Sequence, residues 1–144
     1  MRPGRELDTF IAQKVLGHEI KVKMKQLWEV TDKGDRPLRK FSRDIAAAWE
    51  VVEKMGITII PIENGQWFAF VGSGEPWKSP AAFVEFLAKA QFSSSGAAVG
   101  TDPAEVICIA ASKAVAKAEY NEQAGEPALD PESVDQQDAQ SQLN

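Results

Sequence analysis

The chain is 144 residues long, 44% hydrophobic and 26% charged, which suits one domain with one core and excludes a fibrous or wholly disordered protein. Its net charge is −5, and no apolar run approaches the roughly 18 residues that a membrane-crossing helix needs. A lone cysteine, Cys108, excludes an internal disulfide, and the densely charged start "MRPGRELDTFIAQKVLG" does not read as a signal peptide, so a cytoplasmic location is expected.

Leu7, Phe10, Ile11 and Val15 recur at helical spacing and predict a helix over 5–16, with Gly17 as its stop. In "HEIKVKMKQLWEV", Ile20, Val22 and Met24 alternate with Lys21, Lys23 and Lys25, which predicts a strand carrying a row of ammonium groups. "TDKGDRPLRKFS" follows as an exposed loop or hairpin rich in bases. "SRDIAAAWEVVEKMG" predicts a helix with Ser42 as N-cap and Asp44 in the first turn. Ile45, Trp49, Val52 and Met55 form its apolar face, and Gly56 stands just past its end.

"ITIIPIE" and "QWFAFVG" flank "NG", a strong hairpin signal. Both arms are apolar on both faces, which predicts a sheet covered on each side, and Pro61 argues for a bulge or an edge. After the loop "GSGEPWKSP", Ser79 and Pro80 open a helix with Phe83, Phe86 and Leu87 on one face. "FSSSGAAVGTD" reads as a polar loop with a short strand, and Asp102 and Pro103 open a last helix whose Val106, Ile107, Ala110 and Val115 face inward.

From Asn121 to Asn144 the chain has six acids and no Lys or Arg, so residues 1–120 carry about +1. This segment, 121–144, is too polar to offset the entropy of ordering and is expected to be a disordered acidic tail. Residues 1–120 are expected to form one α/β (α+β) domain, a three-layer helix/antiparallel sheet/helix sandwich.

"ELDTFIAQKVLG", "FSRDIAAAWEVVEKMG" and "GTDPAEVICIAASKAV" resemble the phage ABA sandwich domain family. The resemblance spans most of residues 5–118, and is poor over the lysine stretch and residues 75–95. It implies a phage or prophage origin and the same helix–sheet–helix layering, and it carries over no catalytic residues.

Catalytic groups are scarce. His18 is the lone histidine and is expected to serve as a cap or surface residue; Ser93, Ser94 and Ser95 lack a nucleophile signature, and Cys108 sits among Val106, Ile107 and Ile109 as a buried thiol. Zinc ligands are wanting, "DKGDRP" lacks calcium-loop spacing, and "GSGEP" lacks the Walker lysine, so no metal or cofactor is expected. Glu50 and Glu53 read as the solvated side of their helix.

The bases remain. Eight Lys or Arg lie between Lys21 and Arg43 against Glu29, Asp32 and Asp35. One reading is a lysine-protected sheet edge beside a soluble loop. The other is a receptor for a nucleotide-like anion, built from Lys21, Lys23, Trp28, Arg36, Arg39, Lys40, Arg43 and the loop tryptophan Trp77. Arginine forks bind phosphate, an indole stacks on a base, and the N–H groups of the helix start at Ser42 would add to the site. A near-neutral domain with an acidic tail disfavours extended nucleic acid. The functional expectation is a non-enzymatic accessory protein that binds or sequesters a phosphate-bearing ligand. Inhibition of a host protein and cleavage of phosphodiesters are the alternatives, and a homo-oligomer is compatible with each.

Overall fold

The computed structural model describes residues 4–89 and 96–123. Its first helix, α1 (Arg5–Phe10), runs on into a π-helical turn, Ile11–Val15, where the Leu16 N–H donates to the Ile11 carbonyl at 3.1 Å. The widened turn keeps Leu7, Ile11, Ala12 and Val15 all buried. Gly17, at φ 74, then closes the helix in a left-handed turn as the His18 N–H donates to the Ala12 carbonyl.

The strands β1 (Glu19–Lys23), β2 (Gln26–Thr31) and β3 (Gly34–Pro37) form an antiparallel meander. The lysine stretch is therefore not one strand: the chain reverses at Met24 and Lys25, so Lys25 leaves the expected row. Both turn residues lie in the left-handed region, at φ 55 and 63, as a two-residue loop between right-twisted strands requires. Side chains other than Gly or Asn carry a cost of roughly 1 kcal/mol each there. Met24→Asn with Lys25→Gly should therefore raise the unfolding free energy of dilute protein by roughly 1 kcal/mol, read from the urea midpoint. A lower midpoint would show that the native turn is unstrained.

Helix α2 (Ile45–Met55) starts later than expected, because Asp44 caps it by accepting the Ala46 N–H at 3.0 Å. Ser42 is buried instead; its N–H donates to Asp8 and its hydroxyl accepts from the Gly4 N–H. The inward face also differs from the expected one. Ala47, Ala48, Val51 and Met55 are buried, while Ile45 and Trp49 remain 47% and 48% exposed. α2 packs against α4 (Pro103–Gln123), whose own buried face includes Ala104, Ala110 and Ala111, and small residues let two helices approach closely.

The second sheet has the order β4–β5–β6, with β4 at Ile57–Ile62, β5 at Gln66–Val71 and β6 at Ala97–Gly100. Asn64 and Gly65 supply the positive φ of the β4–β5 turn, and Pro61 sits on an edge strand, where a missing N–H is tolerated. Ile57, Ile59, Ala69 and Val71 face the core formed with α1, α2 and α4. Phe68 and Phe70 point the other way, where Phe83 and Phe86 of α3 (Pro80–Lys89) stack on Phe70. The Ser79 hydroxyl caps α3 by accepting the Ala82 N–H.

The helix–sheet–helix layering is thus built around the second sheet, and the first sheet is a separate meander whose Ile20 and Leu27 pack onto the same core. Six strands divide into two sheets rather than one, but the α+β class and its antiparallel pairing stand. The last helix extends to Gln123, three residues into the expected tail; residues 124–144 lie outside the described ones.

Candidate functional site

Register divides the first sheet into two faces. Lys21, Trp28 and Pro37 lie in one cross-strand row, next to Lys23 and Asp35; Ile20, Glu29 and Arg36 form a row on the opposite face. The basic window is thereby split. Lys21, Lys23 and Trp28 share the solvent face, whereas Arg36 and Arg39 belong with Glu29 on the inner one.

On the solvent face Lys21 is exposed directly across from Trp28, and the Lys23 ammonium stands 4.9 Å from the centroid of the indole ring. The same ammonium pairs with Asp35 at 2.9 Å, a hydrogen bond that holds the Asp35 carboxyl below its ordinary range. Trp28 donates from Nε1 to the Lys23 carbonyl at 3.3 Å, which ties the ring to the neighbouring strand.

The inner face holds a polar centre that patterning alone does not reveal. Glu29 is fully buried. Its Oε1 accepts from Arg39 Nε at 3.1 Å, and its Oε2 accepts from Arg39 Nη2 at 2.8 Å and approaches His18 Nδ1 at 2.7 Å. Arg36 Nε lies 3.9 Å away with its side chain 47% exposed. Burial opposes ionisation of Glu29, but the hydrogen bonds from Arg39 and His18 outweigh it and hold its carboxyl below the ordinary value of 4.5. Arg39 also donates from Nη1 to Glu50 at 2.6 Å and lies over the Phe41 ring at 4.7 Å. Its fork is occupied by protein carboxylates, and the side chain is only 16% exposed.

His18 is therefore more than a cap, and Glu50 is more than a solvated carboxylate. The sequence signal for Glu29 was its phase: it shares a face with Leu27 in β2 and with Ile20 across the ladder.

Lys40 and Arg43 are exposed at the turn before α2, where the Lys40 carbonyl accepts from the Arg43 and Asp44 N–H groups. The expected anion site at the Ser42 helix start is overturned, since the Ser42 N–H already donates to the buried Asp8 carboxylate and the helix begins three residues later. Trp77 belongs to another part of the fold. Its indole packs against Phe83 and Phe86 over Gly72, where an added Cβ would overlap the ring at Cη2 and Cζ2, so its bulk is explained by the aromatic layer. Cys108 is buried, and desolvation pushes its thiol up to about 12, the inert state expected of it.

Among the described residues no cluster of three or more His, Cys, Asp or Glu is placed to hold a metal ion, and no helix is long and apolar enough to cross a membrane. No curated protein matches the chain. Among solved structures, a phage protein from Bacillus cereus ATCC 14579 is similar at a TM-score of 0.53 and 21% identity, over 81% of this chain and 89% of that one. That likeness concerns the fold. The family model of the phage ABA sandwich domain matches residues 9–112, most of the described molecule, and the chain belongs to that family.

Proposed function

We propose that this phage-family protein acts by binding, and that its ligand is a phosphate-bearing, nucleotide-like anion received on the solvent face of the first sheet. The supporting observation is the juxtaposition of Lys21 and Lys23 with Trp28 on a surface-facing row of the hairpin. Ammonium groups attract phosphate oxygens, and the indole offers a surface on which a base can stack once the Lys23 side chain swings from the ring to the phosphate. Lys40 and Arg43 add exposed positive charge at the turn before α2. Arg39 supports the site indirectly: locked between Glu29 and Glu50, it fixes the strand that carries Trp28 and is not itself a phosphate ligand. A nucleotide signal of host defence has the matching chemistry, and holding it without altering it would be sequestration.

The test is calorimetric titration with nucleoside mono- and diphosphates and with inorganic pyrophosphate, followed by recovery of the ligand. Binding should weaken with salt, and the compound should be released unchanged. Lys21→Glu with Lys23→Glu should reduce affinity by at least roughly tenfold, since each charge-assisted contact is worth about 1.5–3 kcal/mol. Affinity unaltered by the double reversal would overturn the reading, and recovery of a cleaved compound would replace binding with catalysis.

A further inference from the structure

Helix α3 leaves the outer face of the second sheet half covered. Register places Ile60, Phe68 and Val99 in one row across β4, β5 and β6, on the same face as Thr58, Ile62, Gln66, Phe70 and Ala97. A helix is roughly 10 Å wide and a six-residue strand roughly 20 Å long, so one helix is too narrow to cover this face. Phe83 and Phe86 stack on Phe70, and Trp77 closes that end at Gly72. The next row stays open. Ile60 and Val99 are 41% and 56% exposed, and Ile62 beyond them is 45% exposed. None of the residues on this face is charged.

No residue of α3 is buried either. Val84 and Leu87 are exposed on one flank, and the residues three and four places from Val84 (Pro80, Ala81, Leu87 and Ala88) are all uncharged. Glu85 lies on the side opposite Phe83 and pairs with Lys89 at 3.4 Å. Sheet row and helix flank thus form a notch that is apolar on both walls and free of charge.

What fills such a notch must itself be apolar and uncharged. The other exposed apolar groups of the described chain are unsuited: Val22 and Met24 stand among Lys21, Lys23 and Lys25, and Ile45 and Trp49 adjoin Arg43 and Lys54. The α3 flank has the required composition. Strand pairing is obstructed at both edges of the sheet, since Pro61 has no N–H on β4 and Lys113 Nζ donates to the Ala97 carbonyl on β6 at 3.2 Å. Size agrees as well. Ile60, Ile62, Val84, Leu87 and Val99, each about half exposed, present on the order of 400 Å² of apolar surface per copy. With a polar rim, that centre approaches the roughly 800 Å² per partner of a standard interface.

We propose that two copies pair by these outer faces about a two-fold axis, the uncharged flank of each α3 resting on the Ile60–Phe68–Val99 row of the other. Each copy then supplies the second helix that the other's outer layer lacks, and the Glu85–Lys89 pairs stay at the rim. The first sheet takes no part, so the proposal is independent of any ligand.

Sedimentation velocity on the full chain tests it. Wild-type protein should pass from monomer to dimer between micromolar and millimolar concentration. Added salt should not dissociate the dimer, because no charge pair holds it. Ile60→Lys on the row and Val84→Glu on the helix alter exposed positions, and each should weaken dimerisation at least roughly tenfold with far-ultraviolet circular dichroism unchanged. Val99→Lys takes the place of Ile60→Lys if that variant does not fold. Mixed in equal amounts, the row and helix variants should dimerise where neither does alone. One contact of the mixed dimer sets the introduced ammonium against the introduced carboxylate, and the other contact is wild type. Wild-type protein that stays monomeric at millimolar concentration would overturn the proposal and leave the face to a different partner. So would a dimer that salt dissociates, or a mixture that associates no better than its components, the result for row–row or helix–helix contacts.

Discussion

Replacing Glu29 with alanine should lower the unfolding free energy by roughly 3–5 kcal/mol, the usual effect of removing one partner from a buried charge network. For a domain of this size that corresponds to a fall in Tm of roughly 10 °C or more. Glu29 is fully buried and joins His18 to Arg39 and, at longer range, Arg36. Without it, Glu50 is the carboxylate left to Arg39, and it is half exposed and screened by water. Glu29→Gln keeps the shape and loses the charge, so its cost should be smaller. Substituting the pair together, Glu29→Leu with Arg39→Met, should cost less than the two single changes combined, because no charge is left stranded.

Acid titration reports the same centre. The folded-state pKa of Glu29 is depressed, so its stabilisation is complete above the ordinary value of 4.5 and is lost as pH falls through the lower, folded value. Wild-type stability should therefore decline on acidification below about 4.5, and the Glu29→Gln chain should lose less over the same interval. Equal slopes for the two proteins in chemical denaturation across that range would show that Glu29 is not held ionised by its partners.

The network also explains how the first sheet joins the rest of the molecule. Glu29 lies on β2, His18 at the end of the first helix, Arg39 after β3 and Glu50 on α2, so one chain of contacts links four parts of the fold. A meander of three short strands has little core of its own. Ile20, Leu27, Leu38 and Phe41 supply apolar contact with the body of the domain, and the carboxylate and its partners supply orientation.

Local signals made the helices and the second hairpin legible: Ser79 and Asp102 as caps, Gly56 as a stop, Asn64–Gly65 as a turn. Failures came where a rule of periodicity met a tertiary constraint. In α2 the bulkiest residues mark one stripe, but contact with α4 favours the close approach of alanines, and Ile45 and Trp49 turn outward. At Met24–Lys25 no Gly or Asn announces the reversal, so alternation extends a strand through what is a turn. The candidate site was half legible. Lys21, Lys23 and Trp28 do meet, whereas pairing across the sheet sends Arg36 to the opposite face and Glu29 holds Arg39 there, a separation invisible in a linear run of bases.

Gly56→Ala should be among the most damaging small substitutions in this chain, at roughly 3 kcal/mol. Gly56 ends α2 at φ 69, and an L side chain there costs roughly 1 kcal/mol from backbone conformation alone. The larger part comes from packing. An added Cβ would meet the Glu75 carbonyl oxygen, 2.6 Å from the Pro76 Cα and 2.7 Å from the Glu75 carbonyl carbon; these are backbone atoms, which cannot rotate away. Relief requires moving the 72–77 loop, and with it Trp77, which rests on Gly72 and packs against Phe83 and Phe86. The substitution should therefore change tryptophan fluorescence and near-ultraviolet circular dichroism as well as the urea midpoint. Gly65→Ala is the internal control. Gly65 has the same φ of 69, but nothing lies within 4 Å of its Cβ position, so it should show the conformational cost without the spectral change. If the two variants lose equal stability, the contact between Gly56 and the loop contributes nothing, and α2 and the aromatic layer are mechanically independent.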